Sequence, residues 1–159
     1  MRDWKLSDAC QAIAKRRLHG PNVEVASYWL SLWSSNAPPT RVRFDPKCIA
    51  TRLPAVAMMS VQTDGRVIFW TAGNYLRLAT GIELTGKDLM TLCREAERAE
   101  RARTVKALLN GGVFCGHRPI KRQSGVVELV QEIALPFAGH LCGRQPGSSP
   151  ALEFSACHG

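Results

Sequence analysis

An almost continuously hydrophobic run occupies positions 55–61, and a second, mostly apolar run follows within 66–72. Asp64-Gly65 separates them, and an Asp-Gly pair favours the tight turn of a β-hairpin because both residues tolerate a positive φ. The pattern predicts antiparallel strands at 55–62 and 66–72. Since the first run does not alternate with polar residues, we expect that strand to be covered on both faces or to form a buried cavity wall.

A second hairpin is predicted at 113–121 and 126–135, joined through Gln123-Ser124-Gly125. Its second strand alternates hydrophobic residues with Glu128 and Glu132, which predicts one buried face and one solvated face. The hydrophobic positions of that alternation are Val127, Leu129, Ile133 and Leu135.

Helical spacing of apolar residues, every three or four positions, predicts one helix over 88–110, ended by Gly111-Gly112. Between 73 and 92, three glycines lie too close together for a long helix, so two or three single-turn helices are expected there. We also expect positive φ at Gly81 and Gly86, with Thr85 capping the turn that leads to Leu89.

Large aromatic side chains mark a helix near the N-terminus, predicted over 22–36 with Asn22 as its cap. Tyr28, Trp29 and Trp33 share one side of it. Such a face needs a partner surface, which is either the rest of the same domain or a second copy of the chain. A shorter helix is predicted at Asp45-Pro46, where Asp45 can accept from free backbone amides.

Composition indicates one soluble globular domain, with 159 residues of which 45% are hydrophobic. The net charge of +8 is scattered along the chain, which indicates a solvated surface rather than a nucleic-acid footprint. Six cysteines are widely spaced and the N-terminus lacks the apolar core of a secretion signal, so reduced thiols and a cytoplasmic location are expected. No apolar run approaches the length of a membrane span.

Candidate chemistry is sparse. Cys115 and His117 could approach His140 and Cys142 around zinc, but the spacing is not a familiar zinc motif and we predict no metal site. The sequence has no glycine-rich phosphate loop, paired-carboxylate pattern or nucleophile elbow, so we expect no enzymatic activity.

A set of short motifs resembles the signature of bacterial single-domain PAS proteins, a branch of the PAS sensory family, over residues 22–137. The motifs are Tyr28-Trp29, Asp45-Pro46, Leu53-Pro54, Ala72-Gly73, Gly81, Leu84-Thr85-Gly86 with Leu89, and Leu135-Pro136. Two departures are the second strand, which lacks the arginine that relatives tend to have ahead of the Ala-Gly pair, and the tail, which lacks a clear final strand.

The resemblance implies an α+β fold, a five-stranded antiparallel sheet with short helices on one face and an N-terminal helical extension. Residues 1–21 would be the extension, 22–137 the PAS-like domain and 138–159 a tail, in which 152–156 could supply the last strand. The implied function is a sensory or interaction module in bacterial signal transduction, acting by ligand sensing or by docking on a protein partner or a second copy. The alternative is a regulatory protein that binds zinc or nucleic acid.

A PAS-type cavity between sheet and helices could hold a small molecule. Its apolar candidates are Met59, Phe69, Tyr75, Leu92 and Leu129, although ordinary core packing explains the same residues. Haem sensors of this fold usually offer a histidine on the longer helix, and 88–110 contains none. Flavin photosensors carry a reactive cysteine where this chain has Leu89, so the sequence names no cofactor.

Overall fold

The computed structural model describes residues 4–62, 64–122 and 124–138 with their side chains, and 148–157 as backbone. Within these ranges the helices are Leu6–Ala14 (α1), Pro21–Ser31 (α2), Asn74–Thr80 (α3), Leu89–Leu92 (α4) and Glu95–Leu109 (α5). The strands are Val56–Gln62 (β1), Val67–Ala72 (β2), Phe114–Lys121 (β3), Val127–Pro136 (β4) and Ser148–Cys157 (β5). Short 3₁₀ helices occupy Arg41–Arg43, Pro46–Ile49 and Leu53–Ala55.

The five strands form one antiparallel sheet in the order β2-β1-β5-β4-β3. Both predicted hairpins are present, and the α+β prediction with a five-stranded sheet is confirmed. β5 is longer than the predicted 152–156 segment and lies at the centre of the sheet, between β1 and β4. Of the zinc candidates, His140 and Cys142 fall outside the described residues. No helix in the described ranges is long and apolar enough to cross a membrane.

Both faces of β1 are covered, as its continuous apolar pattern predicts. Met59 packs with the core on the side of α3, α4 and α5, whereas the adjacent Met58 packs with the core on the side of α1 and α2. The reason is strand geometry, since successive side chains point to opposite faces. The sheet therefore separates two hydrophobic clusters.

The aromatic helix packs against its own domain. Trp29 is 1% exposed, and its Nε1 donates to the Pro136 carbonyl at 2.9 Å. Asn22 does not cap the helix; it is buried, and its Nδ2 donates to the Gln131 carbonyl at 3.1 Å. The helix begins instead at Pro21, where a missing N–H costs nothing. Of the two interpretations of the aromatic face, packing within the domain is the one observed.

Two of the motif pairs prove to be contacts between distant segments. The Tyr28 hydroxyl donates to the Asp45 carbonyl at 3.1 Å and accepts from the Asp45 N–H at 2.6 Å. Gly73 lies directly against the backbone at Leu53 and Pro54, where a Cβ would clash with both carbonyl oxygens. The Asp45 side chain also accepts from the Lys47 N–H at 3.0 Å, which confirms the predicted cap.

The prediction of a single helix over 88–110 was wrong. Cys93 and Arg94 adopt extended backbone angles and divide it into α4 and α5. Asp88, rather than Thr85, provides the cap, because its Oδ1 accepts from the N–H groups of Met90 at 3.0 Å and Val67 at 3.1 Å. One carboxylate therefore ties α4 to the start of β2.

The alternation predicted for β4 was partly wrong. Ile133 and Leu135 are buried as predicted, but Val127 is exposed. Glu132 was expected to be solvated, but it is 8% exposed, whereas Leu129 is 68% exposed. β5 pairs with β4 from Gln131 onward, so Leu129 lies beyond that pairing. Val130 and Ala134, which flank Glu132 on the same face, pack beneath the helices and account for its burial.

Candidate functional site

A cavity of about 220 Å³ lies between the sheet and the helices α3, α4 and α5. Its wall is apolar over most of its area. The sheet contributes Ala57, Met59, Phe69, Ile120 and Val130. The helices and the loop between α3 and α4 contribute Leu76, Ile82, Leu84, Leu89 and Leu92. A concave, largely apolar site of this kind suits a small organic molecule.

The structure brings three of the predicted pocket residues together at this wall: Met59, Phe69 and Leu92. Tyr75 packs against the same core cluster without lining the cavity, and its hydroxyl accepts from Arg122 Nη2 at 3.2 Å. Leu129 lies elsewhere, on the opposite face of β4 and exposed to solvent. Its place on the cavity side is taken by Val130, one residue along the strand.

Charged side chains occupy one end of the cavity. Arg118 on β3, Glu132 on β4 and Arg101 on α5 line it together with Glu97, which lies on the exposed side of α5. The other end, toward β1, β2 and α3, is formed by hydrocarbon side chains and Thr80. The cavity is therefore amphiphilic, with an apolar body and a charged end.

Glu132 is bound by two guanidinium groups. Arg101 Nη1 donates to Oε1 at 3.1 Å, and Arg118 Nε donates to Oε2 at 2.7 Å. The Arg101 and Glu132 side chains are 7% and 11% exposed, whereas that of Arg118 is 36% exposed. Burial raises the pKa of the Glu132 carboxyl above its ordinary value, and the charge and hydrogen bond of Arg118 oppose that rise.

The same four charged residues also line a second cleft, of about 180 Å³, between α5 and β3. Thr104, Phe114, His117 and Pro119 form other parts of its wall. The ion-pair cluster thus stands between the apolar cavity and this more polar cleft. An amphiphilic molecule could place its apolar part in the cavity and its polar end at the cluster.

Cys93 places a thiol on the cavity wall, where burial outweighs the charges of Arg118 and Arg98, which favour the thiolate. Burial raises the pKa of the Cys93 thiol, which disfavours the thiolate. Among the residues whose positions are described, no group of three or more His, Cys, Asp or Glu side chains is arranged to hold a metal ion. The cavity wall offers apolar contact together with charged hydrogen-bonding groups.

A larger groove, of about 900 Å³, lies between α1 and the C-terminal end of α5. Trp4, Lys5, Asp8 and Asn110 are among its lining residues. Its wall is more polar than apolar, and it does not bring opposite charges into a buried cluster as the smaller cavity does. The cavity beneath α3, α4 and α5 is the better candidate site.

Sequence reasoning missed the charged end of the cavity. Glu132 was assigned to a solvated face, and the positive charge of the chain was interpreted as scattered over the surface. A usable signal was present, since Val130 and Ala134 occupy the same face of β4 as Glu132. Apolar residues on either side of a carboxylate at a spacing of two indicate that the carboxylate is buried.

Solved structures with a similar fold include the PAS domain of a protein from Colwellia psychrerythraea, at 16% identity and a TM-score of 0.41, covering 68% of this chain and 92% of that one. The d2 variant of RsLOV matches at 20% identity with a TM-score of 0.39, covering 64% of this chain and 58% of that one. An RNA-binding light-oxygen-voltage receptor matches at 15% identity with a TM-score of 0.47, covering 95% of this chain and 47% of that one.

No curated protein matches the sequence. The family model of the PAS domain matches residues 17–140, which is most of the chain. That match agrees with the motif resemblance over 22–137 and with the strand order described above. The chain belongs to the PAS domain family.

Proposed function

We propose that this protein is a cytoplasmic sensory module of bacterial signal transduction that detects a small molecule in the cavity beneath α3, α4 and α5, with no catalytic chemistry of its own. The observation that carries the proposal is the cavity itself, an apolar site of about 220 Å³ that ends in a buried ion-pair cluster. Such a site combines apolar contact with a few directional polar groups, as ligand pockets do.

The burial of the cluster supports binding over simple packing. Two buried charges beside an apolar cavity carry a large desolvation cost, and hydrophobic replacements of similar volume are often as stable or more stable. A cluster kept at the wall of a cavity is therefore better explained by recognition than by stability. The four cysteines that are free thiols in the described part of the chain fit a reducing compartment.

Docking on a protein partner or a second copy stays a prediction. Of the aromatic side chains that suggested it, Trp29 and Trp33 are buried within the domain and Tyr28 is half-buried, so a docking surface would use mainly other residues. The zinc alternative also stays a prediction, since two of its four candidate ligands lie outside the described residues.

Native mass spectrometry of freshly purified protein, followed by release of bound molecules in organic solvent, tests the proposal. The matched variants are Leu92→Trp, which places an indole at the cavity wall, and Leu78→Trp, which makes the same change on the exposed side of α3. We expect a bound small molecule, or a thermal shift on adding hexan-1-ol, in wild type and Leu78→Trp and a reduced response in Leu92→Trp. Equal responses in both variants, or no response in wild type, would contradict the proposal.

A further inference from the structure

Two arginines meet one buried carboxylate at the charged end of the cavity. Arg101 and Arg118 face a single buried carboxylate, Glu132, so these three side chains carry a formal charge of +1 when Glu132 is ionised. Glu97 also lines the cavity but is exposed, where solvent screens its charge. The four charged side chains that line the cavity sum to zero, but the two guanidinium groups share the one buried carboxylate. The partly exposed guanidinium of Arg118 therefore remains available to attract a ligand with a negative end.

Arg118 is placed to bind that negative end. Its Nε is used by Glu132, and within the described part of the chain its two Nη groups have no protein partner. Glu132, by contrast, already accepts one hydrogen bond on each oxygen. A ligand would thus meet unused donors at Arg118, whereas each oxygen of Glu132 is already held by an arginine, which favours an acceptor group on the ligand.

We propose that the cavity binds a small organic acid, with its apolar body against the hydrocarbon wall and its carboxylate on the Nη groups of Arg118. This inference rests on the proposed function, because it assumes that the cavity is a ligand site. A carboxylate suits a guanidinium because the two planar groups can form paired charge-assisted hydrogen bonds. A cationic ligand placed against the Arg118 guanidinium would be repelled by it.

The volume of the cavity limits the size of the organic acid that it can bind. A volume of about 220 Å³ equals that of about seven liquid waters, at about 30 Å³ each. An apolar body of about five to seven carbon atoms fills such a space, which corresponds to a medium-chain or small aromatic acid. Hexanoate is therefore the natural probe, and hexanamide is its neutral counterpart of nearly the same shape.

The test compares the dissociation constants of hexanoate and hexanamide by isothermal titration calorimetry on the full chain. In wild type, we expect hexanoate to bind at least about tenfold more tightly, since hydrogen bonds between charged groups are roughly twice as strong as neutral ones. In Arg118→Gln, hexanamide should bind as in wild type and the preference for the acid should fall to about twofold or less. Lys121→Gln removes one positive charge from an exposed position on the same strand and should retain the preference.

The outcomes separate the two proposals. Hexanamide binding as tightly as hexanoate in wild type would overturn the acid class and leave the cavity as a ligand site. An acid preference that survives in Arg118→Gln would overturn the assignment to Arg118. Failure of both probes to bind wild type at millimolar concentration would overturn the acid class and the cavity together. Hexanamide binding to Arg118→Gln shows that this variant retains a folded cavity, so a lost preference cannot be ascribed to unfolding.

Discussion

Arg118 Nε lies 2.7 Å from Glu132 Oε2 and joins β3 to β4 on the face of the sheet that lines the cavity. The two residues are diagonal neighbours, because Arg118 pairs directly with Val130 in the strand register. Glu132 is then reached from above by Arg101 on α5. One buried carboxylate thus connects two strands to the longest helix.

Removing Arg101 should destabilise the fold. In Arg101→Met, Glu132 stays buried with one guanidinium instead of two. Breaking a buried pair typically costs about 3–5 kcal/mol, and because Arg118 remains we expect a loss of about 2–3 kcal/mol in the free energy of unfolding. Urea denaturation measures it. Arg103→Met, on the exposed side of the same helix, should change stability by about 0.5 kcal/mol or less. Equal stabilities of the two variants would contradict the role assigned to Arg101.

Ionisation of Glu132 should cost stability. Its pKa in the folded state is raised from 4.5, so between 4.5 and the raised value the folded state binds more protons than the unfolded state. The contribution is fully present below pH 4.5 and is lost as pH rises through the folded-state pKa. Wild type should therefore lose stability relative to Glu132→Gln as pH rises from about 4, measured by urea denaturation across pH.

Glu24 supplies a control, because its pKa is shifted in the opposite direction to that of Glu132. Its hydrogen bond from Arg52 lowers the pKa of this exposed carboxyl, so wild type should gain stability relative to Glu24→Gln as pH rises through the same range, and then level off. A wild type that gains stability relative to Glu132→Gln with rising pH would show that the arginines outweigh burial at Glu132.

Gly73 should be intolerant of a side chain for a steric reason. Its φ is −62°, which any residue can adopt, but a Cβ would collide with the backbone carbonyls of Leu53 and Pro54. We expect Gly73→Ala to lower the free energy of unfolding by about 2–3 kcal/mol, as overpacking does. Gly65 has a φ of 85° and open space around it, so Gly65→Ala should cost less, about 1 kcal/mol. Thermal denaturation ranks the stabilities of the two variants. A Gly65→Ala variant less stable than Gly73→Ala would contradict the close approach of Gly73 to the Leu53 and Pro54 carbonyls.

Tyr28→Phe should weaken the attachment of the 3₁₀ segment at Pro46–Ile49 to α2. The variant loses the hydroxyl that both donates to and accepts from the Asp45 backbone. Two such hydrogen bonds, partly exposed, correspond to about 1–2 kcal/mol in the free energy of unfolding. Ser31→Ala removes an exposed local bond to the Tyr28 carbonyl and should cost about 0.5 kcal/mol or less. Chemical denaturation that finds no difference between the variants would contradict this role for Tyr28.

The sequence predicted the elements whose signals are local. The Asp64-Gly65 turn, the Asp45 cap and the two-sided burial of β1 each follow from residues within a few positions of one another. The break between α4 and α5 was missed because Cys93 and Arg94 include neither glycine nor proline. It depends instead on tertiary packing, since Leu89 and Cys93 are both buried in the core beneath the helices.

The candidate site was predicted in part. Met59, Phe69 and Leu92 were chosen as apolar candidates for the cavity that the PAS resemblance implies, and they line it in the structure. Its charged end required knowledge of which strands pair and which helix crosses them, because Arg101, Arg118 and Glu132 come from three elements. Leu129 was misplaced because its face of β4 is covered only in the second half of the strand. Ile133 and Leu135 are buried there, whereas Leu129 lies beyond the pairing with β5.

Adjacent methionines on β1 offer the most direct test of the cavity as a ligand site. Met59 lines the cavity, and Met58 packs on the other side of the sheet. Nuclear Overhauser spectra of protein labelled at the methionine methyl groups, recorded with hexan-1-ol, should show contacts from the alcohol to the methyl group of Met59 and none to that of Met58. Contacts to Met58 alone, or to neither methyl group at saturating alcohol, would contradict the account.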